Sequence, residues 1–275
     1  MTVINTNVKS LVAQQALAVN GRKMSDAMEQ LSTGKRINSA SDDAAGLSIA
    51  SKMTSQIRGL NQAIRNTNDG ISMMQTAEGA LSEVTNMLQR MRELSVQTAN
   101  GTNSTADKSA LQAEFEQLQA EITRVANNTE WNGTAILAAS NNVVFQIGAN
   151  SGQTVTVAFK GLVSAGSMTA VASAVAANTV FSAATASAIG DLDAAIAQVN
   201  SFRSDLGAKI NRMTYTVDNL QNVSTNTSAS RSRIEDADYA QATTELARTQ
   251  IIQQAATAML AQANQSTGSV LSLLK

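Results

Sequence analysis

Proline, cysteine and histidine are all missing from these 275 residues. At an average usage of about 5% a chain of this length holds about 14 prolines, and their absence lets helices run long without a break. Without cysteine or histidine there is no thiol nucleophile, no disulfide, no imidazole base and no ordinary zinc site. Histidine-based triads, ordinary zinc sites and an HExxH protease helix are thereby excluded, which removes nearly all triad and transition-metal chemistry, and the chain reads as no enzyme and as needing no cofactor. The lack of cysteine leaves the compartment open, because an exported protein can manage without disulfides. Aromatics are sparse too: five Phe, two Tyr and one Trp. Rings supply much of the buried area of a thick globular core, so burial here must come from Leu, Ile, Val, Met and Ala along thin helical seams. Charge is thin in the middle, where Trp131 to Gly190 carries Lys160 alone.

What is present is a seven-residue apolar repeat. Ala50, Ile57, Ile64 and Ile71 take one seam position, and Met53, Leu60, Met74 and Leu81 the other, interrupted by Thr67. Alternating steps of three and four put one apolar stripe on one helix face, and that face demands a partner helix. After Met74 the phase slips by one short step and Ala77, Leu81, Val84, Leu88 and Met91 continue the stripe, a local overwinding that does not end the coil. Leu111, Phe115, Leu118, Ile122 and Val125 form a second such helix. A third takes Val199, Leu206, Met213 and Leu220 beside Ile196, Ile210 and Val217. The predicted class is mainly α: an elongated antiparallel coiled-coil or helical bundle with paired terminal helices and a small β-hairpin region. The hairpin is predicted in Asn141 to Phe159, where Val143, Val144, Phe145 and Ile147 are followed by a Gly, Asn and Ser cluster and then by alternating Val155, Val157 and Phe159. Residues 162–190 have no clear period and are expected to form a variable surface insert.

Net charge is −1, so no global field favours nucleic acid or an anionic membrane, and neither is expected as a partner. Locally the balance is uneven, with a net of +3 over residues 1–36 and −2 over 234–275. Opposite signs favour the two end segments lying side by side. Met1 to Gln15 lacks an apolar core of sufficient length and a small-residue cleavage site, so no cleaved secretory signal is expected. Thr249 to Leu274 is free of charge but contains five Gln and one Asn, too polar for a membrane span. Its Ile252, Ala256, Met259, Ala263, Val270 and Leu273 share a stripe that a solitary helix would leave wet, so burial against copies of the chain or another chain is expected. Two acidic clusters look like metal or acid sites, but capping explains them better. Asp42 is expected to cap a helix after Ser41 with Asp43 in its first turn, and Glu235, Asp236 and Asp238 to be first-turn charges after Ser232.

Several longer runs are distinctive. They are Val3 to Asn7, Leu31 to Ala40 (LSTGKRINSA), Asp42 to Leu47 (DDAAGL) and Asn68 to Ser72 in the first half. In the second half they are Ser204 to Ala208, Ser230 to Tyr239 (SRSRIEDADY), Leu260 to Gln265 and Val270 to Leu274. In these runs the chain resembles the bacterial flagellins. The match covers roughly residues 1–140 and 190–275, and the middle is where members of that family differ most.

The resemblance implies a filament subunit for bacterial motility, exported uncleaved by the flagellar secretion apparatus and extracellular. Residues 1–40 and 235–275 would be inner-tube terminal helices, 41–140 and 190–234 a helical bundle, and 141–189 the hairpin and variable insert. The implied subunit interface takes Val3, Ile4, Val8, Leu11, Leu17, Met24, Leu31, Ile252, Met259, Val270, Leu271, Leu273 and Leu274. Implied partners are other copies of the chain, hook-associated junction and cap proteins, an export chaperone at the C-terminal region, and the flagellin-sensing Toll-like receptor of hosts. For that receptor the matching surface is Leu88, Gln89, Arg90, Glu93 and Leu94 with Glu114 on the next helix. A hook-filament junction protein and a coiled-coil structural adaptor are the rival readings.

Overall fold

A computed structural model describes residues 6–162, 171, 173 and 185–272. Most of the stretch 162–190, where the variable insert is expected, lies outside the described residues. The elements are α1 (Val8–Thr33), α2 (Ala44–Thr98), α3 (Thr105–Asn128), β1 (Glu130–Trp131), β2 (Thr134–Ala135), β3 (Asn141–Gln146), β4 (Thr154–Phe159), α4 (Thr185–Glu235) and α5 (Tyr239–Ser272). The mainly helical class with one small hairpin is the predicted one. Two compact units are formed, residues 1–57 with 225–275 and residues 58–224, so α2 and α4 contribute to both.

The second unit holds the larger apolar core. On α2 the stripe Met74, Ala77, Leu81, Val84, Leu88 and Met91 is fully buried, so the short phase slip keeps the stripe facing inward. Phe115, Ile122 and Ala126 of α3 and Leu192, Val199, Phe202, Leu206 and Met213 of α4 complete the same cluster. Thr67, the polar interruption, is buried as well, and its hydroxyl donates to the Ala63 carbonyl at 2.7 Å. Thr85, Ser95 and Thr98 donate in the same way to Leu81, Met91 and Leu94. A hydroxyl satisfied one turn back can sit in an apolar seam without an orphaned group.

The β3–β4 hairpin pairs Val143 with Val157 and Phe145 with Val155. Alternation sends Val155, Val157 and Phe159 into the core. Gly70 of α2 makes room for this packing: a Cβ there would lie 2.8 Å from the Met213 methyl and 3.1 Å from the Phe145 ring. A second, shorter pair, β1–β2, was not anticipated. Its turn is Asn132-Gly133 with φ of 50° and 77°, the left-handed pair that Asn-Gly adopts in two-residue hairpins, so the signal was present in the dipeptide.

Helix α3 starts at a capping box. The Ser104 hydroxyl accepts from the Asp107 N–H, and the Asp107 carboxylate accepts from the Ser104 N–H at 2.9 Å and hydroxyl at 2.6 Å. Those bonds, the hydroxyl first, hold the Asp107 carboxyl below its ordinary range. A carboxylate depressed in the folded state contributes stability above its unfolded pKa and loses it as pH falls through the folded value. The first turn of α3 is therefore expected to fray on acidification. Amide exchange at Asp107 and Lys108, corrected for intrinsic rate, should rise below the ordinary carboxylate range in the parent but not in Asp107→Asn.

In the first unit, α1 begins at Asn7, whose side chain accepts from the Ser10 N–H, and ends at Gly34 in the left-handed region with φ of 70°. A clasp follows. Lys35 forms an antiparallel bridge with Asp236, the Arg36 N–H donates to the Glu235 carbonyl at 2.7 Å, and the Ala237 N–H donates to the Gly34 carbonyl at 3.0 Å. The Arg36 guanidinium adds a bond to the Ile234 carbonyl at 2.7 Å, and Lys35 pairs with Glu235. The run Leu31 to Ala40 and the run Ser230 to Tyr239 are thus the two sides of one junction.

Both capping expectations need correction here. Helix α2 starts at Ala44, and Asp43 is its cap, accepting from the Gly46 N–H at 2.8 Å. Asp42 accepts instead from the Asn38 and Ser39 N–H groups at 2.9 and 2.8 Å and closes the preceding turn. The second cluster does not open a helix at Ser232, because α4 runs on to Glu235. Asp238 alone caps α5, accepting from the Ala240 N–H at 2.9 Å. In both places the chain turns one to several residues later than expected, and only the residue at the non-helical position can reach the free N–H groups.

Candidate functional site

Helices α1 and α5 run antiparallel. Asn7 donates to the Ala263 carbonyl at 3.0 Å, Asn20 to the Thr249 carbonyl at 2.8 Å, and the Tyr239 hydroxyl to the Leu31 carbonyl at 3.3 Å. The side turned inward on α1 takes Ser10, Ala13, Leu17, Asn20, Met24, Ala27 and Leu31, and on α5 Ala242, Leu246, Thr249, Gln253, Ala256, Leu260 and Ala263. Both sets step by three and four, the spacing of a coiled-coil seam. Half of these fourteen positions are Ala, Ser or Thr, so the seam is thin.

Much apolar surface is left outside that seam. Val8 is 58% exposed and Met259 66%, beside exposed Leu11, Val12, Val19, Met28, Ile251 and Ile252. Val8, Val12, Ala16, Ala256 and Met259, with Lys9 and Gln262, line an open groove of about 610 Å³ along the pair. A contiguous exposed apolar strip of this kind marks an interaction surface.

The structure sorts the interface residues expected from sequence into three groups. Leu17, Met24 and Leu31 are half-buried in the α1–α5 seam. Val8, Leu11, Ile252 and Met259 are exposed. Val3, Ile4, Leu273 and Leu274, and the side chains of Val270 and Leu271, lie outside the described residues. Sequence reasoning missed Val12, Val19, Met28 and Ile251. The first two continue Val8 as a second apolar track beside the seam track, a signal that a single-stripe reading passes over.

The receptor-marked residues also divide. Leu88 and Leu94 are fully buried in the core of the second unit, whereas Gln89, Arg90, Glu93 and Glu114 are exposed. The Arg90 guanidinium donates to Glu114 at 2.9 Å and to Glu93 at 3.0 Å. Those bonds, Glu114 first, raise its pKa above the ordinary arginine value. Arg92 pairs with Asp193 of α4 at 2.5 Å, a contact across 101 residues of chain that no local spacing reveals.

Among the described residues no group of three or more His, Cys, Asp or Glu is placed to hold a metal ion. No helix among them is long and apolar enough to cross a membrane.

Comparison with known proteins bears on the whole chain. The family described as bacterial flagellin N-terminal helical region matches residues 4–142, and that described as bacterial flagellin C-terminal helical region matches residues 189–274. A flagellin of Halalkalibacterium halodurans is 46% identical over 275 residues, covering 99% of this chain and 100% of that protein. Polar flagellin F of Vibrio parahaemolyticus is 36% identical over 372 residues, covering 98% of this chain and 99% of that protein. That aligned length exceeds the 275 residues here, so the Vibrio protein holds segments with no counterpart in this chain. In fold alone, the chain is similar to the solved structure of a flagellar hook-associated protein from Vibrio parahaemolyticus, with a TM-score of 0.59 over 71% of this chain and 100% of that one at 15% identity. With matched regions at both ends, a short middle between them and full-length relatives at this identity, the chain belongs to the bacterial flagellins, the structural subunits of the flagellar filament.

Proposed function

We propose that the first unit is the assembly layer of this filament subunit, with residues 1–40 and 235–275 as its terminal helices. Residues 41–140 and 190–234 form the supporting bundle, and 141–189 the hairpin and outer insert. The observation that carries this is the exposed apolar strip left when α1 and α5 have covered their own seam, Val8 and Met259 above all. Val8, Leu11, Ile252 and Met259 meet neighbouring copies, and the family resemblance assigns the same role to Val3, Ile4, Val270, Leu271, Leu273 and Leu274. Leu17, Met24 and Leu31 act through the pair, by holding α1 against α5. A strip of this sort meets a different surface on the next copy, so the contact is heterologous and propagates as a helical polymer. The junction and cap proteins of the hook-associated class would meet the same strip at filament ends, and an export chaperone would shield the C-terminal region before uncleaved export by the flagellar apparatus.

Met259→Asp tests this. A charge on an exposed side chain leaves the monomer's helical signal and melting unchanged, but it must be desolvated in the polymer. Sedimentation and negative-stain microscopy are expected to show at least a ten-fold higher protein concentration for filament growth. Growth at the parent concentration would refute the assignment.

The exposed edge of α2 and α3 supports a second reading, recognition by the flagellin-sensing receptor of hosts. Gln89, Arg90, Glu93 and Glu114 would be the touching groups, while Leu88 and Leu94 set the helix from beneath. Arg90→Asp reverses the charge at the centre of this network and is expected to cut receptor signalling by the monomer at least ten-fold in reporter cells. Full signalling would remove Arg90 from the site.

A further inference from the structure

Among the described residues, the buried polar side chains of the α1–α5 seam are Ser10, near the start of α1, and Asn20 with Thr249, which meet at one level further along. Asn20 is 6% exposed and Thr249 2%, the Asn20 amide donates to the Thr249 carbonyl at 2.8 Å, and Gln253 offers its side-chain oxygen at 3.5 Å. From these observations we infer that Asn20 is a positioning residue that sets the register of α1 on α5, and with it the placement of the exposed strip that neighbouring copies read.

The remaining layers are poor judges of register. In the observed pairing Ala13 lies at the level of Ala256 and Leu17 at that of Gln253. One heptad of slip toward the C-terminus would put Ala13 at Ala263 and Leu17 at Leu260, with sizes matched as well or better. What such a slip cannot reproduce is the side-chain part of the polar layer: Asn20 would lie at the level of Ala256, which offers a backbone carbonyl but no side-chain oxygen, and Gln253 would move to the level of apolar Met24. A single buried asparagine at a seam position is a known way of fixing coiled-coil register at some cost in stability. The other links along the pair are weaker judges. The Asn7 bond to Ala263 is only partly buried, the Arg36 side-chain bond is exposed, where such contacts contribute little, and the Lys35–Glu235 pair and the backbone bonds of the clasp act at one end of the pair, outside the two helices.

All the polar links agree on one register. From Asn7 to Asn20 along α1 is matched by Ala263 back to Thr249 on α5, and from Asn20 to Leu31 by Thr249 back to Tyr239, each to within one residue. The inference deepens the assembly reading, but its primary readout does not require a filament.

The chain contains no cysteine, so disulfide trapping reports register cleanly. Ala13→Cys is combined in turn with Thr249→Cys, Ala256→Cys and Ala263→Cys in the full-length chain. Each is oxidised both in solution and after salting-out into polymer. With Asn20 present, only the 256 partner is expected to cross-link. In Asn20→Leu the yield with 249 or 263 is expected to rise at least ten-fold while the melting of α1 and α5 is not lowered, and filaments lose uniform diameter. Asn20→Gln, which can still donate, is expected to restore the single product. Retention of the 256 product alone in Asn20→Leu would overturn the inference and leave register to the clasp. Loss of all three products together with helicity would overturn it too, making Asn20 a stability residue. Normal cross-linking shifts with unaltered filaments would uphold the register role and count against the assembly reading instead.

Discussion

A chain ending at Ile234 is expected to form no filaments under conditions where the intact chain forms them throughout, while its second unit stays folded. Loss of α5 removes exposed Ile252 and Met259, and it also strips the cover from Leu17, Met24, Ala27 and Leu31 on α1. A lone helix of that length is marginal in water, and ordering it costs roughly 1–2 kcal/mol of backbone entropy per residue. The helical signal should therefore fall by more than the 34 residues of α5, because the 26 of α1 melt with them. The second unit keeps its core cluster, from Met73 on α2 to Met213 on α4, and its cooperative thermal transition should remain. Circular dichroism with electron microscopy measures both. Uniform filaments from the shortened chain would place the assembly surface elsewhere.

Phe115→Ala is expected to destabilise the second unit by about 3–5 kcal/mol, the usual cost of removing a large ring from a packed core. Phe115 is 2% exposed and sits where α3 meets the core cluster shared with α2 and α4. Phe159 and Phe202 of the same cluster are fully buried and would lose their own packing by moving, so the cavity is expected to stay largely open. Tyr215, 75% exposed on α4, is the matched control, and Tyr215→Ala should stay within about 0.5 kcal/mol of the parent. Denaturant unfolding followed at constant slope measures the difference. A loss under about 1 kcal/mol for Phe115→Ala would mean that α3 does not depend on this seam.

A chain whose function is to be a stiff repeating part has reason to combine these features. Buried hydroxyls bonded one turn back let Thr67, Thr85, Ser95 and Thr98 sit inside α2 without breaking it. Gly70 and Gly34 occur where a close approach and a left-handed turn require them. Family membership accounts for the runs of shared residues, and the clasp gives two of those runs a physical cause: each is half of a junction that works only when both halves are present.

Periodicity carried most of the fold. The α2 stripe with its phase slip, the α3 and α4 seams and the β3–β4 hairpin could all be read from residue spacing, since steps of three and four or of two are local properties of the backbone. The β1–β2 turn was legible in Asn132-Gly133 and was missed. The division of expected interface residues was not legible, because Leu17 and Met24 look the same in sequence as Val8 and Leu11. Which apolar track faces the partner helix and which faces outward depends on how α5 is rotated against α1. Capping slipped for a similar reason: Asp42 and Asp43 are adjacent and chemically identical, and the one that caps α2 is selected by where the chain leaves helical dihedrals.

By itself, then, the sequence determined the helical class, the long unbroken elements, the absence of thiol and imidazole chemistry and, through its shared runs, the family. These follow from composition and from interactions a few residues apart. Only the tertiary structure decided that Asn20 meets Thr249, that Arg92 meets Asp193, that Leu88 and Leu94 are sealed while Arg90 is open, and that Val8 and Met259 lie uncovered. Each of those joins positions far apart in the chain, and their proximity is set by how whole helices pack, which no short window of residues encodes.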